Sequence, residues 1–275
     1  MASPTALRSK AERIENRDSR WLKRFRAALR GERSASEPLL GLEGVRLVAD
    51  ALRSRLPVEA VLVSESGERH LPRLKSLLPD GVRMLRTSDR LFEGVADTEA
   101  PQGLAVLVEP PAWRWDDLVG TATLLVVLAG VQDPGNVGTI VRSAEAFGAT
   151  GVVACKGCAH PFTPKAIRAS AGSVLRLPCL AGVPPDQALK ELRERGPRQY
   201  AATLSGDCAP QEADFTPPCA VWIGSEGAGL PPEIEAGADV RLHISLRKPV
   251  ESLNAAVAAA VLLYEAARQR GEAGQ

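Results

Sequence analysis

No run of this sequence is apolar for long enough to cross a bilayer, which takes about 20 consecutive residues. The longest candidate, Ala255 to Tyr264, is an alanine-rich stretch inside an evident helix. The first residues, MASPTALRSKAERIENRD, lack the apolar core of a signal peptide. Cysteine is scarce and odd in number, five in all and confined to the second half, which suits a reducing compartment better than a disulfide framework. A cytoplasmic chain without membrane contact is therefore expected. Net charge is only +1, so the whole molecule is not a polycation. Two nucleotide signatures are also missing: no Gly-rich turn has the spacing and following acid of a dinucleotide site, and no Gly-Lys-Ser/Thr occurs. NAD and ATP are poorly supported.

What is present is an ordinary globular composition, 45% hydrophobic and 24% charged over 275 residues. That length accommodates two domains, each with its own core. Residues 1–33 carry ten Lys or Arg against four acids; such a segment can hold phosphates, or it can be a solvated helix face. From Arg17 to Arg30 the pattern predicts an amphipathic helix with Trp21, Phe25 and Leu29 on one stripe. Alternating strand and helix patterns run on to GLAVLVE, and a Pro- and Trp-rich stretch, EPPAWRWDDLVG, follows. The expected division is a basic tail (1–16), a small α/β domain (17–112), a linker (113–120) and a larger α/β domain (121–275). In the last, apolar strands alternating with helices predict a parallel sheet covered on both faces.

Ligands of such sheets sit where strands end, and three strand-end loops stand out. In DPGNVGTIVR, Asn136 is placed to cap a helix from about Val137 to Phe147, while Gly138 and Arg142 share a face with Glu145. A bare first turn there would admit a phosphate, which an arginine one turn on could reach. In IGSEGAGLPPE, three glycines suit a close backbone approach, and Glu226 lies between them. In ISLRKPVESLNAAVAAA, Ser252 can cap the final helix, and Asn254 has donors and an acceptor for a neighbour. Cys155 and Cys158 form a C-x-x-C near His160, but a second ligand pair for zinc is missing. Gln132 and His243 read as structural.

In this order the three loops resemble the SpoU (TrmH-like) family of the SPOUT superfamily. Asn136, Gly138 and Arg142 match its Asn-x-Gly-x-x-x-Arg motif. Gly224, Glu226, Gly227 and Gly229 match Gly-x-Glu-Gly-x-Gly, and Ser252, Leu253 and Asn254 match Ser-Leu-Asn. PKAIRASAGSVLRLP is similar to the family's intervening loop, and the resemblance covers about residues 120–270. Residues 17–110 resemble, more loosely, the substrate-binding domain of many members, which has a ribosomal protein L30e-like fold. Ile244-Ser-Leu-Arg-Lys-Pro249 departs from the family's Ile-Pro-Met segment, so the cofactor loop is expected to differ in shape.

The resemblance implies an α/β SPOUT domain with a parallel sheet and a deep trefoil knot. It implies S-adenosylmethionine as cofactor, held by Leu204, Gly224, Ile244, Leu246 and Leu253, and methylation of a ribose 2′-hydroxyl in RNA, ribosomal RNA above all. The implied catalytic set is Arg142, Asn136, Glu226, Ser252 and Asn254, with RNA contacts at Gly138, Lys165, Arg168 and Arg24 and no metal. Because a guanidinium stays charged, Arg142 suits a phosphate- and oxyanion-stabilising role better than that of a base. Members pair as homodimers through the knot. The alanine-rich face after Asn254 fits that, although packing within one chain would use it equally well. A 2′-hydroxyl target excludes DNA. Two alternatives stand beside this reading: an inactive SPOUT-scaffold RNA-binding or ribosome-assembly protein, and a tRNA 2′-O-methyltransferase. Base methylation fits the motifs less well.

Overall fold

Two separate sheets organise the chain, and the boundary between their units falls between Pro111 and Ala112. The computed structural model describes residues 12–32 and 38–271; the rest of the basic segment 1–33, residues 1–11 and Arg33, lies outside them.

The first unit runs β1 (Glu12–Ile14), α1 (Arg20–Leu29), β2 (Leu40–Glu43), α2 (Val45–Arg53), β3 (Val58–Ser64), α3 (Leu71–Leu74), β4 (Met84–Thr87), α4 (Asp89–Glu93) and β5 (Leu104–Val108). Its sheet order is β1-β4-β3-β5-β2, with β1, β4 and β3 parallel and β5 antiparallel to both neighbours. The expected tail therefore needs correction, because Glu12–Ile14 is an edge strand whose Ile14 carbonyl accepts from Thr87 Oγ1 at 3.1 Å. The expected stripe of α1 also shifts: Leu22, Phe25 and Leu29 are buried, and Trp21 is half-exposed. Steps of 3 and 4 stay on one face, whereas repeated steps of 4 drift by about 40° each on a helix of 3.6 residues per turn. Trp21 instead lies under the guanidinium groups of Arg24 and Arg83 at 4.8 and 5.0 Å.

The second unit runs α5 (Trp115–Leu118), β6 (Leu124–Ala129), α6 (Pro134–Ala146), β7 (Gly151–Cys155), α7 (Pro164–Ala169), β8 (Cys179–Val183), α8 (Pro185–Arg195), β9 (Arg198–Ala202), β10 (Cys219–Gly224), α9 (Pro232–Gly237), β11 (Val240–Leu242) and α10 (Ala255–Gln269). All six strands are parallel, in the order β11-β9-β10-β6-β7-β8. Residues 113–120 are a correction too. Rather than a free linker they form α5 and its flanks, with Leu118 buried in the core and Trp113 and Trp115 packed against it.

This order decides where a site can form. The chain builds outward from β6 through β7 and β8, then returns to place β10 on the other side of β6. Between β6 and β10 the direction of winding reverses, which opens a crevice at the carboxyl ends of the strands. The register pairs Gly224 with Ala129, so the loops following these two strands begin side by side. At the far end of α10, Arg270 fastens the helix to the sheet by donating to the carbonyls of Ala122, Thr123, Phe215 and Pro217 at 2.8–3.0 Å. The start of α10, against the crevice, is thereby held in place.

Candidate active site

Both sequence-assigned caps move, and the movement creates the site. Helix α6 begins at Pro134, and its N-cap is Asp133, whose carboxylate accepts from Asn136 N at 3.3 Å. Proline suits the first helical position because its fixed φ is already helical and its missing N–H had no partner there. Asn136 is thus inside the first turn, and its side chain is available. On α10 the cap is Asn254 and not Ser252, with Oδ1 accepting from Ala256 N at 2.9 Å and Val257 N at 3.3 Å. Lys165 pairs with Asp133, and this contact foremost holds the Asp133 carboxyl below the usual range.

Capping gives the Asn254 amide a direction. Its oxygen must face the helix N–H groups, so its Nδ2 points away and donates to Asn136 Oδ1 at 3.1 Å. Asn136 in turn donates from Nδ2 to Glu226 Oε1. One polarised chain, Asn254 to Asn136 to Glu226, ties together all three strand-end loops.

Beside it lies a cavity of about 320 Å³. All five expected cofactor residues, Leu204, Gly224, Ile244, Leu246 and Leu253, line it, as do Ser252 and Glu226. Leu204 stands 77% exposed at its edge, and large apolar side chains left in water mark binding surfaces. Gly224 has a local reason that differs from the expected one. A Cβ there would lie 2.2 Å from the Gly229 carbonyl carbon, so its own loop, closed by paired Ser225 and Gly229 backbone bonds of 3.1 Å, is what excludes a side chain.

Gly138 requires a correction. It is buried, and a Cβ would meet Ala166 O at 2.3 Å and Ala169 Cβ at 2.7 Å. Its bare face receives α7 rather than a phosphate. Gly138→Ala is expected to destabilise the protein by about 1–3 kcal/mol, measured by denaturant unfolding, because backbone cannot yield and the gain in helix propensity is only about 1 kcal/mol. Unchanged stability would show that α7 is not seated there.

Arg142 is exposed, lines no part of the cavity, and among the described residues has no hydrogen-bond or ion-pair partner. The structure does not bring it to Asn136. Its expected face-mate Glu145 is taken by a two-pronged pair with Arg176, both contacts at 2.7 Å. Lys165 and Arg168 are exposed on α7, which packs on α6. Arg24, in the other unit, is mostly covered, with its guanidinium 3.0 Å from Glu59 and over Trp21. That engagement leaves it badly placed for a phosphate.

Two contributors escaped sequence reading. Cys158 Sγ accepts from Gly130 N and donates to Leu128 O, each at 3.2 Å, and so braces the end of β6 that leads into the first loop. Glu235 lines the cavity from α9. Cys158 signals in the sequence only through its C-x-x-C spacing with Cys155, and Glu235 has no local signal beyond residue type. Among the described residues no group of three or more His, Cys, Asp or Glu could hold a metal, and no helix is long and apolar enough to cross a membrane.

The family model described as the SpoU rRNA Methylase family matches residues 123–264, and that of an MRM3-like substrate binding domain matches residues 28–106. The chain is 34% identical over 233 residues to the 23S rRNA (guanosine(2553)-2'-O)-methyltransferase RlmP of Bacillus subtilis, covering 85% of this chain and 90% of that protein. Among solved structures it resembles the SpoU methyltransferase AviRb from Streptomyces viridochromogenes in complex with AdoMet, with TM-score 0.80, 28% identity, and 92% and 98% of the two chains covered. A structure described as RNA 2'-O ribose methyltransferase gives TM-score 0.80 and 29% identity over 94% of this chain and 99% of the other.

Proposed function

Because the chain belongs to the SpoU rRNA methylase family, we propose that it transfers a methyl group from S-adenosylmethionine to a ribose 2′-hydroxyl of ribosomal RNA. The observation that carries this is the junction of the three loops, where the cavity adjoins the Asn254–Asn136–Glu226 chain. The residues present fit the cofactor. The cavity's volume lies in the range of small-molecule sites, leucine and isoleucine side chains offer an adenine slot, and Gly224 and its loop offer backbone groups.

When bound, the cofactor supplies an electrophilic methyl group on a sulfonium. The acceptor hydroxyl is a weak acid and must be polarised as its oxygen attacks. Arg142, fully charged and with its donors uncommitted, binds the neighbouring phosphate and stabilises the charge developing on the 2′-oxygen. The proton leaves to a phosphate oxygen or to water. Asn136 and Glu226 hold the loops in register, and Ser252 and Asn254 position the ribose. Arg168, on the helix packed against that of Arg142, extends the basic face toward the RNA, and Lys165 joins it by exchanging Asp133 for a phosphate.

In the same reading, the C-terminal part of the second unit threads into a deep trefoil knot, and the first unit is an L30e-like fold that selects the RNA. Two copies pair along α6 and α10. Supporting this are the groove between those helices and the outward Val257, Val261 and Tyr264 along it, 49%, 40% and 52% exposed. In a dimer Arg142 of one copy can serve the cavity of the other, which accords with its absence from the lining of its own.

The test is incubation of the full chain with methyl-labelled S-adenosylmethionine and ribosomal RNA, transfer RNA or DNA. Label in ribosomal RNA alone is expected. Label in transfer RNA alone would move the substrate, and none in any RNA would sink the proposal.

A further inference from the structure

We infer that Glu235 makes the cavity prefer the cationic cofactor over the product left after transfer, an inference that rests on the cavity being the S-adenosylmethionine site. The lining contains two carboxylates, Glu226 and Glu235, and no Lys, Arg or His. The two acids are in different situations. Glu226 is engaged by the Asn136 amide. Glu235, half-buried on α9, uses its backbone N–H and carbonyl within the local turns to Pro231 and Ala238, and its carboxylate has no hydrogen bond or ion pair among the described residues.

The cation whose charge reaches that carboxylate is committed elsewhere. Arg241 on β11 is near enough for its charge to be felt by Glu235, but its guanidinium is fastened to Asp207 through Nε at 2.9 Å and Nη2 at 2.6 Å and lies outside the cavity lining. Glu235 also borders the neighbouring cavity that Asp207 and Arg241 line, and a carboxylate in the wall of a partly enclosed cavity attracts a cation there more strongly than it would in open water. Ligands with one more positive charge gain the most.

Methyl transfer changes that one charge. The methyl carbon bonds to the ribose oxygen, the carbon–sulfur bond breaks with its electron pair staying on sulfur, and the hydroxyl proton leaves to phosphate or water. S-adenosylhomocysteine keeps the adenosine and the amino acid but loses the sulfonium charge. Glu235 therefore favours the ligand that can react and loosens the one that has reacted.

The experiment is calorimetric titration of the full chain with each of the two ligands separately. The native protein is expected to bind S-adenosylmethionine more tightly. Glu235→Gln should weaken that binding by about threefold or more while leaving the homocysteine product within about twofold. Glu235→Asp should keep most of the preference. Glu233→Gln, exposed on the same helix and outside the cavity, should change neither affinity. Equal weakening of both ligands by Glu235→Gln would overturn the inference, since the carboxylate would then hold a group common to the two, such as the ribose diol. A native protein without preference would overturn it as well. Failure of the native protein to bind either ligand would strike the reading of the cavity itself and so is distinguishable.

Discussion

Arg142→Ala is expected to lower kcat/KM for methyl transfer to RNA by roughly 100- to 1,000-fold, the usual cost of removing one donor from a developing oxyanion. The same variant should leave folding stability within about 0.5 kcal/mol of the native value and cofactor affinity unchanged. Both follow from position: Arg142 is exposed, has no partner among the described residues, and lines no part of the cavity. Arg142→Lys should recover only part of the rate, because an ammonium keeps the charge but lacks the planar fork that spans a phosphate and a neighbouring oxygen. Steady-state kinetics on ribosomal RNA, with unfolding and cofactor titrations on the same preparations, separate these effects. A rate loss matched by equal loss of cofactor binding would assign Arg142 to the cavity instead.

Asn254 carries the second large effect, because its two side-chain atoms have separate duties. Oδ1 caps α10, and Nδ2 orients Asn136. Asn254→Ala removes both and should cost about 1 kcal/mol of stability, as loss of a cap does. Asn254→Asp keeps an acceptor for the two helix N–H groups, where a carboxylate is favoured by the helix dipole. It should therefore fold about as stably as the native chain. Yet it has no donor for Asn136 Oδ1, and it sets a negative charge against that oxygen, in a chain that already ends at Glu226. Transfer should fall about tenfold or more in both variants, by the cost of leaving a hydrogen-bonding group unpaired. If Asp restored the rate as well as the stability, the capping role alone would account for Asn254.

These residues also show how far the sequence carries. The three loops and the parallel sheet are legible because glycines, caps and apolar runs have local causes, whereas the five residues that line the cavity follow from the family resemblance and not from any local pattern. Errors arose where two local choices were equally good. Asp133 and Asn136 can both cap, as can Ser252 and Asn254, and selection between them depended on Pro134 and on what each side chain meets across the crevice. Gly138 looks open in the sequence because the helix that covers it lies 28 residues later in the chain, around Ala166. Glu12–Ile14 is three residues long and mostly charged, so only its pairing with β4 makes it a strand. Glu235 sits in a Pro- and Glu-rich stretch that reads as solvated surface, and only the assembled cavity gives it a role. The proposed knot has no residue pattern of its own: a knot is a property of the path, and general rules of chain connection argue against it.

The methyl group is expected on the 2′-oxygen of the acceptor ribose. Alkali cleaves RNA through the free 2′-hydroxyl, so a methylated ribose protects the bond on its 3′ side. The direct measurement is alkaline digestion of ribosomal RNA labelled by the native protein, followed by separation of the fragments. Label retained in alkali-resistant dinucleotides is the predicted result. Label released with mononucleotides would place the methyl on a base and contradict the account.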